Sequence, residues 1–183
     1  MSQDCCCPSD AGSQTCELSP EIAARPATPG VCPICGQRGK SVDGQTVKAM
    51  LAISLVQVTH EPYLFCANPD CASVYYSADG EQTFSTAEVR ERVYQKEPGA
   101  GDVFVCYCFR HTPDEIRDEI VASGRSTVID AINAGIRAGA CACDLRNPQG
   151  SCCLGNARAL VKLLLAEKGS MATGRPEIKR RTS

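Results

Sequence analysis

The sequence contains no tryptophan, two histidines, and only four phenylalanines and five tyrosines in 183 residues. Large rings supply much of the packing in most small cores, so something else must hold this chain together. No apolar run reaches the roughly 18 residues that a membrane-spanning helix requires, so no membrane span is expected. The opening stretch Met1-Ser2-Gln3-Asp4-Cys5 lacks the basic and apolar regions of a secretory signal, which points to a cytoplasmic protein. Charge of one sign is not in excess: the net charge of −2 gives no electrostatic reason to expect nucleic-acid binding. A glycine-rich phosphate loop and a Ser-His-Asp order are both missing, so hydrolase and transferase chemistry is not expected. Cysteine is what the sequence has in abundance, at 14 residues. In a reducing compartment thiols bind metals more often than they pair, and metal–thiolate bonds can stand in for missing apolar burial.

A chain of this length buries one ordinary core or two small modules joined by a linker. Residues 1–30 carry Cys5, Cys6, Cys7 and Cys16 among small and polar residues and read as a flexible cysteine-rich arm. Residues 31–97 read as a zinc-binding β/α module. Within it Val47, Met50, Leu51 and Leu55 predict a helix from Thr46 to about Leu55. Tyr63–Cys66 and Ser73–Tyr76 predict strands around a polar turn. Ser85-Thr86-Ala87-Glu88 is a capping-box pattern, predicting a helix that continues through Val89 and Val93. Glu97-Pro98-Gly99-Ala100-Gly101 is the best internal boundary.

Residues 103–169 read as a helical module. Val103-Phe104-Val105 predicts a short extended run. Thr112-Pro113-Asp114-Glu115 predicts a helix start with proline at its first position, and Gly124 its end. Val128, Ile129, Ile132 and Ile136 form the stripe of a second helix ending near Gly139. Ala157, Leu160, Val161 and Leu164 form that of a last one, predicted to stop at Gly169. Residues 170–183, with Lys179, Arg180 and Arg181, read as a basic tail. The expected fold class is α+β: a small zinc-bound β module with short helices, then a helical module.

Cys32-x2-Cys35 and Cys66-x4-Cys71 are two close pairs of soft ligands. Such pairs, each on a knuckle or hairpin end, meet as a tetrahedral four-sulfur zinc site with no position open to substrate. The predicted role is structural. The competing readings are a redox dithiol at Cys32 and Cys35, or unligated buried thiols; His60 reads as a surface residue rather than a substitute ligand.

Cys106-x-Cys108, Cys141-x-Cys143 and Cys152-Cys153 form a second group. Ligands one residue apart suit a multinuclear iron–sulfur centre better than a single zinc. Helices predicted to begin just after Cys108 and Cys153 would direct N–H donors and positive dipole ends toward an anionic cluster. The Asn147-Pro148-Gln149-Gly150 turn could add backbone donors. A Rieske centre needs two placed histidines, and only His60 and His111 exist. Spacing assigns Cys106 and Cys108 to the centre and leaves the other two ligands open, with a second zinc site or a disulfide as the competing readings. Tyr107 reads as packing beside it, and Arg110 and His111 as surface residues.

Val105-Cys106-Tyr107-Cys108-Phe109, with Cys143-x3-Asn147-Pro148-x-Gly150-x-Cys152-Cys153, resembles the zinc and [2Fe–2S] N-terminal domain of the copper-chaperone CopZ family. Cys32-x2-Cys35 and Phe65-Cys66-x4-Cys71-x2-Val74-Tyr75-Tyr76 resemble its zinc half. The likeness spans roughly residues 31–165, and its second half is also similar to bacterioferritin-associated ferredoxin-type domains. The resemblance implies Cys106, Cys108, Cys143 and Cys153 as [2Fe–2S] ligands and leaves Cys141 and Cys152 as spare thiols beside them. The family's separate copper-carrying domain, with its Gly-Met-x-Cys-x2-Cys loop, has no counterpart here, so copper transfer by that domain is not implied.

The expected function is single-electron transfer by an iron–sulfur and zinc protein in copper or similar soft-metal homeostasis. It would act as an electron carrier or metal-ion reductase beside a metal-transport or chaperone partner. The arm thiols Cys5, Cys6, Cys7 and Cys16 are candidate soft-metal ligands. The alternatives are a non-redox interaction module with two zinc sites, and a thiol oxidoreductase.

Overall fold

The computed structural model describes residues 30–173, with no account of side chains beyond residue 169. Four short antiparallel strands come first: β1 (Lys40–Val42), β2 (Tyr63–Phe65), β3 (Ser73–Ser77) and β4 (Thr83–Ser85). They pair in chain order β1-β2-β3-β4. Tyr63, Phe65, Val74, Tyr75 and Phe84 pack with Val42, Val47, Met50, Leu51 and Val93 into one core against this sheet. Tyr76 instead joins Cys32, Cys66 and Cys71 in a separate cluster, so β3 is buried throughout. Gly39 is required beside it, because a Cβ there would lie 2.8 Å from the Tyr76 ring.

The first helix, α1 (Gly44–Met50), is shorter than the spacing predicts. Asp43 caps it, accepting from the Gln45 N–H. Leu51 is then drawn into an extended bridge with Val89, flanked by Ala52 N–H to Glu88 and Arg90 N–H to Met50 bonds. The same bridge overturns the helix predicted through Val89 and Val93. The Ser85/Glu88 capping box forms, but it closes one 3-10 turn, Thr86–Glu88, before the chain extends. Strands β1 and β4 are only three residues long and carry no alternation that sequence could reveal.

The connection runs through a second 3-10 turn, Tyr94–Lys96, and an irregular stretch over residues 97–105. Arg92 spans it, pairing with Glu97 and, at 2.8 Å, with Asp102. Val103–Val105 is bent rather than a strand.

Four helices follow: α2 (Pro113–Ser123), α3 (Val128–Arg137), the single-turn α4 (Cys143–Arg146) and α5 (Leu154–Thr173). The Thr112 capping box is complete, and Gly124 ends α2 at φ +79°. Ile116, Ile120, Val128, Ile132, Ala157 and Leu164 form the core between α2, α3 and α5. Lys168 on α5 donates to the Ile120 carbonyl at 2.6 Å, satisfying the end of α2. The predicted stop at Gly169 does not occur: α5 continues past it to Thr173. No helix among the described residues is long and apolar enough to cross a membrane.

Candidate metal centres

The first centre is built from a knuckle and a hairpin end. Cys32 O accepts the Gly36 N–H at 2.8 Å, and the Gln37 carbonyl accepts from Cys32 N–H at 2.8 Å. Gly36 adopts φ +74°, the turn that lets Cys32 and Cys35 face one point. Opposite them, Cys66 N–H pairs with Val74 O, while Asn68 accepts from both Asp70 and Cys71 N–H groups. The sulfurs of Cys32, Cys35, Cys66 and Cys71 all lie within 4.8 Å of one another. Cys32–Cys71 and Cys35–Cys66 are separated by 3.9 and 3.7 Å. Four thiolates at a zinc–sulfur distance of about 2.3 Å define a tetrahedron with edges of about 3.8 Å. The donor set therefore fits zinc in number, chemistry and size.

Cys32, Cys66 and Cys71 are buried and Cys35 is half-buried. Burial raises the Cys35 thiol, but hydrogen bonds from the Gln37 backbone, the Asn68 side chain and the neighbouring sulfurs outweigh it and bring the pKa down to about 6. Burial pushes Cys66 up to about 12, and raises Cys71 as well. One thiolate is thus ready at neutral pH, beside two thiols whose protons a metal must displace.

Lys96, which sequence reading overlooked, completes this centre. It is only 9% exposed, and its ammonium donates to the carbonyls of Asn68 at 2.7 Å and Cys71 at 3.1 Å. A buried cation beside four thiolates offsets part of their negative charge and fixes the turn that carries two of them. No motif marks it, because its partners are backbone carbonyls 28 and 25 residues away.

His60 lies outside this set, on the surface, with Nδ1 3.2 Å from Asp79.

The second group converges in pairs. Cys106 and His111 form a bridge that folds residues 107–110 into a turn, with Arg110 at φ +61°. Tyr107 anchors the turn, donating to Arg92 O at 2.8 Å and accepting from Tyr94 N–H at 2.9 Å. Phe109 anchors it from the other side, its ring seated where Gly135 leaves room on α3. Cys106 and Cys153 sulfurs are 3.0 Å apart, well beyond the roughly 2.05 Å of a disulfide. Cys108 and Cys143 sulfurs are 3.7 Å apart. Unlike the first set, no three of these four fall within 4.8 Å of one another. Cys106 and Cys153 are buried, Cys108 and Cys143 half-buried, and Cys141 and Cys152 exposed.

Bonding to Cys153 brings Cys106 down to about 6 against the opposing effect of burial, while the same bond and burial raise Cys153. Burial pushes Cys143 up to about 12. The Ala142 N–H points at the Cys108 sulfur, 3.3 Å away. The Pro148-Gln149-Gly150 turn is not the donor nest that its composition predicts. Its Gly150 and Gln149 N–H groups are used internally, on Asn147 O at 2.8 Å and Asn147 Oδ1 at 3.2 Å. Cys5, Cys6, Cys7, Cys16 and the basic tail lie outside the described residues.

Residues 29–90 match a family model, zf_CopZ, described as a zinc binding domain. The sheet half is thus a CopZ-like zinc-binding domain. Among solved structures, the X-ray structure of the Archaeoglobus fulgidus CopZ N-terminal domain is similar at 28% identity and TM-score 0.59. That likeness covers 71% of this chain and 96% of the other, so it extends well beyond the zinc half. No curated protein sequence matches the chain.

Proposed function

We propose that the chain is a zinc-stabilised iron–sulfur protein that passes single electrons in the handling of copper or another soft metal. In this reading residues 31–97 form the zinc module, with Cys32, Cys35, Cys66 and Cys71 as its ligands. Residues 103–169 hold a [2Fe–2S] core on Cys106, Cys108, Cys143 and Cys153. The observation that carries it is the arrangement of the second group as two sulfur pairs, 3.0 and 3.7 Å across, instead of one tetrahedron. Two ligands on each of two metals is what a diiron core asks of its protein, whereas one zinc asks for four converging sulfurs. The resemblance to the CopZ N-terminal domain supports the same residues.

A bound [2Fe–2S] core supplies one-electron redox chemistry. The chain's own contribution is to bury Cys106 and Cys153 while leaving Cys108 and Cys143 nearer the surface, facing a partner. Helices α2 and α5 begin within a few residues of Cys108 and Cys153, and their positive ends favour negative charge there. The exposed thiols of Cys141 and Cys152 give a soft metal ion, copper, mercury or arsenic in type, a place to meet the centre. The role is an electron carrier or metal-ion reductase serving a metal-transport or chaperone partner in a reducing, cytoplasmic setting.

Anaerobically purified protein reconstituted with iron and sulfide tests this directly. One zinc, two irons and two sulfides per chain are expected, with a rhombic S = 1/2 signal after reduction. That signal disappears in Cys106→Ser and Cys143→Ser and survives in Cys141→Ser and Cys152→Ser. Colourless protein with two zincs and no iron would replace this reading with a non-redox interaction module.

A further inference from the structure

The loop between Cys143 and Cys153 does not support itself; the sheet half holds it. Tyr75 on β3 is fully buried, and its hydroxyl donates to the Pro148 carbonyl at 2.6 Å across 73 residues of sequence. Burial raises its phenol pKa, so it stays a donor. Gly150, at φ +64°, lies against α1 and β1 so tightly that a Cβ there would come 2.7 Å from Val42 and 3.2 Å from Thr46. Lys40 on β1 donates to Ser151 Oγ at 2.8 Å, and Gln95 donates to Gln149 at 2.5 Å. Buried Asn147 ties the turn together, its side-chain amide donating to Ser151 O at 2.6 Å. The same strand begins two residues after Cys71, and Cys66 bonds to Val74, the residue just before Tyr75.

We infer that Tyr75 is a positioning residue for the loop carrying Cys143 and Cys153, so that occupancy of the zinc centre controls how well that loop is ordered. Zinc fixes the end of the β2–β3 hairpin; the hairpin fixes Tyr75; Tyr75 and its neighbours fix the turn two residues before Cys152-Cys153. The two metal centres are then coupled, reciprocally at equilibrium, through a contact that neither shares. Loss of zinc frays the strand from its Cys71 end and releases the loop, while α2 and α3, packed on their own core, stay closed. The effect on cluster retention rests on the function proposed above; the ordering of the loop does not.

Amide hydrogen exchange on the full-length, zinc-loaded, iron-free protein tests the ordering. In Tyr75→Phe the segment 147–157 is expected to exchange about tenfold faster than in wild type, as a buried carbonyl loses its donor. Protection at Ile120 and Ile132 should be unchanged. Stripping zinc from wild type should give the same local pattern. Lys40→Ala, which removes an exposed contact to Ser151, is a second route should Tyr75→Phe unfold the sheet; it is expected to raise exchange two- to threefold, by roughly the strength of one exposed hydrogen bond. Equal protection of segment 147–157 in wild type and in every folded variant would overturn the inference. After reconstitution, Tyr75→Phe should lose iron to a chelator faster than wild type and show altered g-values. Wild-type protein that takes up no iron, yet shows the loosened loop in Tyr75→Phe, would sink the cluster reading and leave the positioning role standing.

Discussion

Lys96 shows what single residues do beyond ligation. Its ammonium reaches two carbonyls of the Asn68–Cys71 turn from a segment outside the sheet. Replacing it by methionine keeps the stem's packing and removes the charge. Zinc affinity is then expected to fall about 10- to 100-fold, with Lys96→Arg retaining more of it, as measured by competition with a chromogenic chelator. An affinity unchanged in Lys96→Met would show that the cation only fills space. The convergence of Cys32, Cys35, Cys66 and Cys71 was legible from two close cysteine pairs at familiar spacings. Lys96 and Tyr75 were not, because each acts on backbone oxygens far away in sequence, and a backbone carbonyl leaves no mark on composition.

At the scale of elements, local signals succeeded where local bonds decide and failed where long-range pairing does. Thr112 with Pro113 and Glu115 starts α2 as its pattern requires, since every bond in a capping box lies within four residues. Thr112→Ala is expected to destabilise the protein by about 1 kcal/mol in chemical denaturation, because the Glu115 N–H loses its acceptor. The Ser85–Glu88 box has the same chemistry but yields one turn, because Leu51 claims Val89 for a bridge from 38 residues upstream. The same competition shortened α1. Gly169 differs for another reason: a glycine inside a helix costs only about 1 kcal/mol relative to alanine, so it need not end one, and α5 runs through it to Thr173.

The molecule as a whole divides its apolar packing between two clusters, one under the sheet and one among the helices, with the zinc thiols and Tyr76 as a third. Without tryptophan and with few other rings, the sulfur cluster has to contribute what aromatic burial would. Its contribution is therefore tied to pH. In the metal-free protein Cys66 lies near 12 and Cys71 above its ordinary value, so both are protonated at neutral pH and both must ionise to bind zinc. Binding releases at least these two protons, so affinity falls about 100-fold for each unit that pH drops. The thermal stability gap between zinc-loaded and zinc-stripped protein should accordingly narrow steadily on acidification from pH 8 to pH 5. A gap that stayed constant across that range would mean that binding releases no protons from Cys66 and Cys71. The alternation of a sheet half and a helical half was legible because cysteine spacing and helix periodicity change together near residue 100. How the halves meet was not, since that contact is made by a tyrosine hydroxyl, a glycine without room for a Cβ, and two amide side chains.

The order of these parts along the chain has a consequence in time. A ribosome delivers the knuckle and hairpin thiols at 32–71 well before the last thiol at 153 leaves the exit tunnel. The seat formed by Val42, Thr46 and Tyr75 can then be finished while its occupant is still being made. Vectorial synthesis thus offers the later loop a template rather than a partner, and reversing the two halves by circular permutation would take that head start away.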